Sequence, residues 1–175
     1  MELMKLHNEM FWTCGIFFIK NILFFLTVSR KIYFTDVNHL VNCTVPEYFK
    51  YFKEVYQYYL QPGLRIAPVH ADGNFDPLNI LIESLPGGPL VNLASANKHV
   101  PDIKQRISVV KEWCRANLHG LTFQKMSNVL NTHIVLNSVK IPNIFPTQEG
   151  ISYNISPKIS CQERIWTTKS THVFR

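Results

Sequence analysis

A chain of 175 residues is long enough for one domain with a sizeable core. A hydrophobic share of 46% with 13% aromatics excludes an intrinsically disordered polypeptide. The formal net charge of +6 points to an anionic partner such as nucleic acid.

The first run, MFWTCGIFFIKNILFFLTV (residues 10–28), has the length of a membrane span and is followed by Arg30 and Lys31. Lys20 and Asn21 interrupt it, and a charge at the centre of a span costs roughly 3 kcal/mol. The same pair suits the turn of a hairpin between GIFFI and ILFFLTV, two runs rich in β-branched and aromatic side chains. A hairpin is therefore expected, with a membrane anchor as the alternative. A signal peptide is disfavoured, because Glu2 and Glu9 offset Lys5 ahead of the apolar part.

RKIYFTDV, residues 30–37, reads as a third antiparallel strand. TVPE, residues 44–47, predicts a capping box with proline in the first helical turn. The helix it opens sets Tyr48, Phe52, Val55, Tyr56 and Tyr59 at helical spacing, a stripe suited to a core rather than to stacking bases. QPG ends that helix, and LRIAPVHAD follows as a strand with Asp72 at its tip. Asp72-Gly73-Asn74 has the composition of a turn. A carboxylate at a strand end facing a cleft also suits a divalent metal. Both readings stand on these residues alone.

Of the next two apolar runs, LNILIESL and LVNLAS, one is expected as an edge strand and the other as an irregular crossing. From Pro101 a helix places Ile103, Ile107, Val110 and Cys114 on one face, with Lys104, Lys111 and Arg115 on another. That cationic stripe is either solvated or set against a nucleic-acid backbone. Gly120 ends the helix, Thr122 is placed to cap the next, and Met126, Leu130 and Ile134 share one side of it before Pro142 and Pro146. Cys14, Cys43, Cys114 and Cys161 form no CxxC pair, so reduced thiols in an intracellular protein are expected rather than a zinc site or disulfide frame.

The order is three strands, a helix, a strand, a fifth strand and two helices: an α/β mixed sheet flanked by helices. That order, with TVSRKIYF, HADGNFD and HVPDIKQRISVVKEWCRAN, resembles the integrase catalytic core of Copia-like retrotransposon Pol polyproteins, a ribonuclease H-like fold. The resemblance spans residues 15–157, leaving 1–14 as an N-terminal extension and 158–175 as an irregular tail. It implies three carboxylates holding two Mg²⁺ or Mn²⁺ ions that clamp the attacking and leaving oxygens of a phosphoryl transfer. The middle carboxylate corresponds to Asp72; the first falls on Gly15 and the third on Lys104, 57 residues before and 32 after it.

A glycine offers no ligand, and a lysine puts a cation where the metal belongs. The resemblance therefore implies a degenerate, catalytically inactive core with no metal bound, each loss needing one transition in its codon. An active polynucleotidyl transferase rebuilt on displaced acids such as Asp76 or Glu112 is the alternative. Asp102 lies two residues from Lys104 and is expected on the opposite side of the helix. The expected partner is DNA, gripped without sequence preference by Lys98, Lys104, Lys111 and Arg115. Homo-oligomerisation and a nuclear or cytoplasmic location follow from the same resemblance. The tail SCQERIWTTKSTHVFR lacks the family pattern and is read, by reverse translation alone, as a frameshifted end that omits the usual DNA-binding module. An unshifted gene around Ile159 would contradict that reading.

Overall fold

The computed structural model describes residues 9–60, 65–94, 100–122, 125–146 and 154–161. Lys20 and Asn21 both take positive φ, 49° and 62°, between Ile19 and its cross-strand partner Ile22. Two left-handed residues in succession make the tight turn whose twist matches a hairpin. It joins β1 (Glu9–Ile19) to β2 (Ile22–Ser29). Residues 10–28 are thus two strands and a turn, and among the described residues no helix is long and apolar enough to cross a membrane.

The third strand, β3 (Thr35–Leu40), starts five residues later than expected from RKIYFTDV. Residues 30–34 reverse the chain: the Tyr33 amide donates to the Ser29 carbonyl at 2.8 Å, and Tyr33 takes a φ of 55°. This turn lowers Ile32 into the core, which a straight strand would have turned towards water or the opposite face.

Helix α1 (Val45–Leu60) buries Tyr48, Phe52, Val55, Tyr56 and Tyr59, the expected stripe. Its N-terminal arrangement departs from a capping box. The Glu47 carboxylate reaches past Thr44 to accept from the amides of Val41 (2.6 Å) and Asn42 (2.7 Å). Trp12 of β1 packs edge-on against Phe52, Tyr56 and Tyr59, with ring centroids 5.9, 6.5 and 4.6 Å away. Such edge-to-face geometry adds to the burial that already fixes α1 on this face of the sheet.

β4 (Arg65–Ala71) runs parallel to β1, and β5 (Leu90–Leu93) runs parallel to β4. The sheet order is β3-β2-β1-β4-β5, with the two hairpin ladders antiparallel. LVNL is the edge strand; LNILIESL folds instead into the end of a 3-10 turn (Gly73–Leu78) and the short helix α2 (Asn79–Glu83). The opposite face is covered by α3 (Pro101–His119) and α4 (Asn128–Lys140). There Phe17, Phe24, Leu26 and Val28 meet Ile103, Val110, Val135 and Val139.

Helix α4 is capped by Ser127, whose hydroxyl accepts from the Leu130 amide at 3.3 Å, and not by Thr122. The later start turns Asn131, Val135, Ser138 and Val139 inward and leaves Leu130 exposed and Ile134 half-buried. Two of the inward residues are polar and paired: Asn131 accepts from Lys20, and Ser138 from the Asn117 amide at 2.7 Å. Apolar periodicity cannot reveal a face made partly of satisfied polar groups.

β1 takes in residues 9–14, and the helical turn at 157–161 carries Cys161 into the α1-side core. All four cysteines are unbridged.

At the β3 edge, the Asn143 side chain stands in for a neighbouring strand. Its oxygen accepts from the Thr35 amide at 3.0 Å, and its nitrogen donates to the Thr35 carbonyl at 2.7 Å. Asn143→Ala leaves both buried main-chain groups unpaired and is expected to cost about 2–4 kcal/mol, measured by urea unfolding; a cost near zero would contradict the clamp.

Candidate functional site

The last ladder pair between β1 and β4 is Cys14 with Ala71. Gly15 is the next residue of β1, and Asp72 follows the last residue of β4, so both lie next to this final pair at the C-terminal end of β4. Cys14 and Ala71 belong to the α1-side core, so alternation turns Gly15 and Asp72 to the α3 face. Burial, and secondarily the charge of Asp72, raise the Cys14 thiol far above its usual pKa.

Asp72 is half-buried at the entrance to α3. One carboxylate oxygen accepts from the Val100 amide at 3.4 Å, and its carbonyl accepts from Phe75 at 2.9 Å to close the following turn. Val100 immediately precedes the first residue of α3, so the carboxylate faces the positive end of that helix.

A Cβ placed on Gly15 would lie 2.9 Å from Ile103 Cγ1 and 3.6 Å from Ile107 Cδ1. The inner atoms of a fully buried isoleucine therefore occupy the space that a side chain on β1 would need. Lys104, one residue further and about 100° around the helix, is exposed and directs its side chain away. Of the three positions singled out in the sequence, the fold brings Gly15 and Asp72 together; Ile103 and Ile107, not Lys104, complete the cleft.

The remaining acids lie elsewhere. Asp76 is exposed in the 3-10 turn, and Glu112 is exposed on α3 and paired with Arg115. Asp102 pairs with Arg30 at 2.7 Å, both side chains being more than a third exposed. Burial and the Arg30 cation depress the His70 pKa beside this pair. Among the described residues, no three His, Cys, Asp or Glu side chains come together to hold a metal. Mg²⁺ or Mn²⁺ calls for several convergent oxygens. One carboxylate already engaged by an amide, a glycine and an isoleucine do not fit such an ion.

The cations are better placed. Lys111 and Arg115 border a groove of about 280 Å³ between α3 and the β1–β2 hairpin. Lys20, from the hairpin turn, joins them there. Sequence reasoning missed it because Lys20 was read only as a turn residue. Lys98 lies outside the described residues.

A larger cavity of about 590 Å³ opens at the opposite edge of the sheet, between β3, α1 and α4. Asp36, Glu54, Tyr58 and Lys140 line part of it. Burial raises the Asp36 pKa to about 6, and the Glu54 charge adds to the rise. The Val37 amide, the Asn38 side chain and the Lys140 charge oppose it. The cavity is two strands away from β1 and has no connection with Asp72.

No family model matches the sequence, and no curated protein matches it. Fold comparison is positive. The five-stranded mixed sheet, with helices on both faces, is the ribonuclease H-like fold of integrase catalytic cores. Among solved structures, the catalytic core domain of BIV integrase is similar with a TM-score of 0.61, across 91% of this chain and 97% of that chain, at 12% identity.

Two measurements check this geometry. Gly15→Ala is expected to destabilise the fold by about 1–3 kcal/mol through overpacking against Ile103. In a double-mutant cycle, Ile103→Ala should remove most of that extra cost; strict additivity would contradict the contact. Because the Asp36 pKa is raised on folding, the folded chain holds more protons than the unfolded one between about pH 4 and 6. Its contribution is fully present below that window and is lost as pH rises through about 6. Asp36→Asn should therefore raise Tm at pH 7 and change it little at pH 4.

Proposed function

We propose that this chain is a degenerate integrase catalytic core of Copia-like retrotransposon type. It has no strand-transfer activity and binds nucleic acid through the basic face of α3, in the nucleus or cytoplasm. The observation that carries the proposal is the Gly15–Ile103 contact beside Asp72. Where a metal-dependent transferase would gather carboxylates, this cleft sets one carboxylate against closely packed aliphatic carbon. The fold likeness and the sequence resemblance support the ancestry; the residues of the cleft support the loss of chemistry.

A live enzyme using displaced acids finds less support. Glu112 is held by Arg115, and Asp76 stands in solvent on the turn beyond Asp72. Lys104 and Lys111 are placed to meet backbone phosphates, with Arg115 beside them in its pair with Glu112; such contacts hold a nucleic acid without reading its sequence.

The test has two arms. In Mn²⁺, the chain is expected neither to nick DNA nor to transfer strands; cutting that disappears with Asp72→Asn would overturn the proposal. In duplex-DNA binding without metal, joint Lys104→Glu and Lys111→Glu substitution should weaken affinity more than tenfold in about 0.1 M salt. Glu112→Gln should tighten it about twofold by releasing Arg115, whereas a metal-ligand role for Glu112 predicts no such gain. Equal affinity across these variants would remove the binding half of the proposal.

A further inference from the structure

The β1–β2 turn combines two features that a plain hairpin would not need. Lys20 holds a φ of 49° at a position where Asn, Asp or Gly is the usual occupant. Lys20 also lines the groove that contains Lys111 and Arg115, so three cationic residues from two separate elements border one concavity. Lys20 Nζ donates to Asn131 Oδ1 at 3.3 Å, which ties the side chain to α4 beside the groove. An ammonium has three donors, so this bond leaves two for a ligand. Ile19 and Leu118 provide apolar walls, and Cys114 contributes from the floor as a buried thiol. Glu112, the acid nearest these cations along α3, is occupied by Arg115.

We propose that Lys20, Lys111 and Arg115 form one phosphate-binding groove, in which the hairpin turn is a second arm gripping a phosphodiester backbone that runs along α3. The proposal rests on the nucleic-acid binding proposed above and deepens it. It assigns a contact to an element remote from the Asp72 cleft and excluded from the sequence-derived set. With Arg115 offset by Glu112, Lys20 and Lys111 leave the groove net cationic, which selects an anion. The spread of cations over two elements favours an extended polyanion with repeated charges over a single carboxylate.

The discriminating variant is Lys20→Asn, which removes the cation while placing in the turn a residue that tolerates positive φ. Circular dichroism should show an unchanged fold. Binding to a short duplex DNA of arbitrary sequence, followed by fluorescence anisotropy over a salt series, should weaken about eightfold in 0.1 M salt. The slope of log affinity against log salt should fall by roughly one contact. Lys50→Asn, on the exposed surface of α1, should leave both unchanged.

Loss in Lys104→Glu and Lys111→Glu with none in Lys20→Asn would overturn the second arm and leave the nucleic-acid reading standing. No DNA binding by the unaltered chain would overturn both. Polyglutamate binding as tightly as DNA, with the same dependence on Lys20, would reassign the groove to acidic polypeptides.

Discussion

The close approach of α3 to β1 at Gly15 is the contact on which the rest of this structure depends. Ile103 reaches to within 2.9 Å of where a Cβ would stand, so the helix settles on the sheet only because that strand position has no side chain. From this seat follow the burial of Ile103, Val110 and Cys114, the meeting of Asp72 with the helix entrance, and the outward direction of Lys104. The same contact fills the space that a side chain on β1 would occupy at this position.

Charge is distributed accordingly. Near Asp72 the cleft is aliphatic, with the Asp72 carboxylate turned to a main-chain amide. Along the outer turns of α3 the cations persist and are joined by the hairpin turn. The two regions make different physical demands: a metal site needs close convergence of several ligands, whereas a basic groove works by approximate electrostatic attraction. That division is physically sensible, because metal coordination fails with the loss of a ligand or two, whereas phosphate attraction degrades one contact at a time.

Much of the fold was legible in the residues because its strongest signals are local. The positive φ values of Lys20 and Asn21, the stripe from Tyr48 to Tyr59 and the tip at Asp72 each follow from composition and period over a few residues. The misses have a common origin in long-range compensation. β3 starts at Thr35 because Ile32 must enter the core and Asn143, 108 residues away, completes the strand edge. α4 turns Asn131 and Ser138 inward because Lys20 and Asn117 await them. At the site, Gly15 was set beside Asp72 only through the family resemblance. The substitution of Ile103 for Lys104 at the cleft was not legible, since it depends on a rotation of one residue about the helix axis. Lys20 escaped because its partners come from a helix some ninety residues downstream.

The measurement that tests the central claim most directly is Mn²⁺ binding by the intact chain, followed by calorimetry and by the electron paramagnetic resonance of free ion, with Asp72→Asn as its comparison. The account predicts no saturable binding that separates the two proteins, because among the described residues no three His, Cys, Asp or Glu side chains come together and the Asp72 carboxylate is engaged by an amide. Stoichiometric binding at micromolar Mn²⁺ that vanishes in Asp72→Asn would contradict it and restore a working metal centre to the Asp72 cleft.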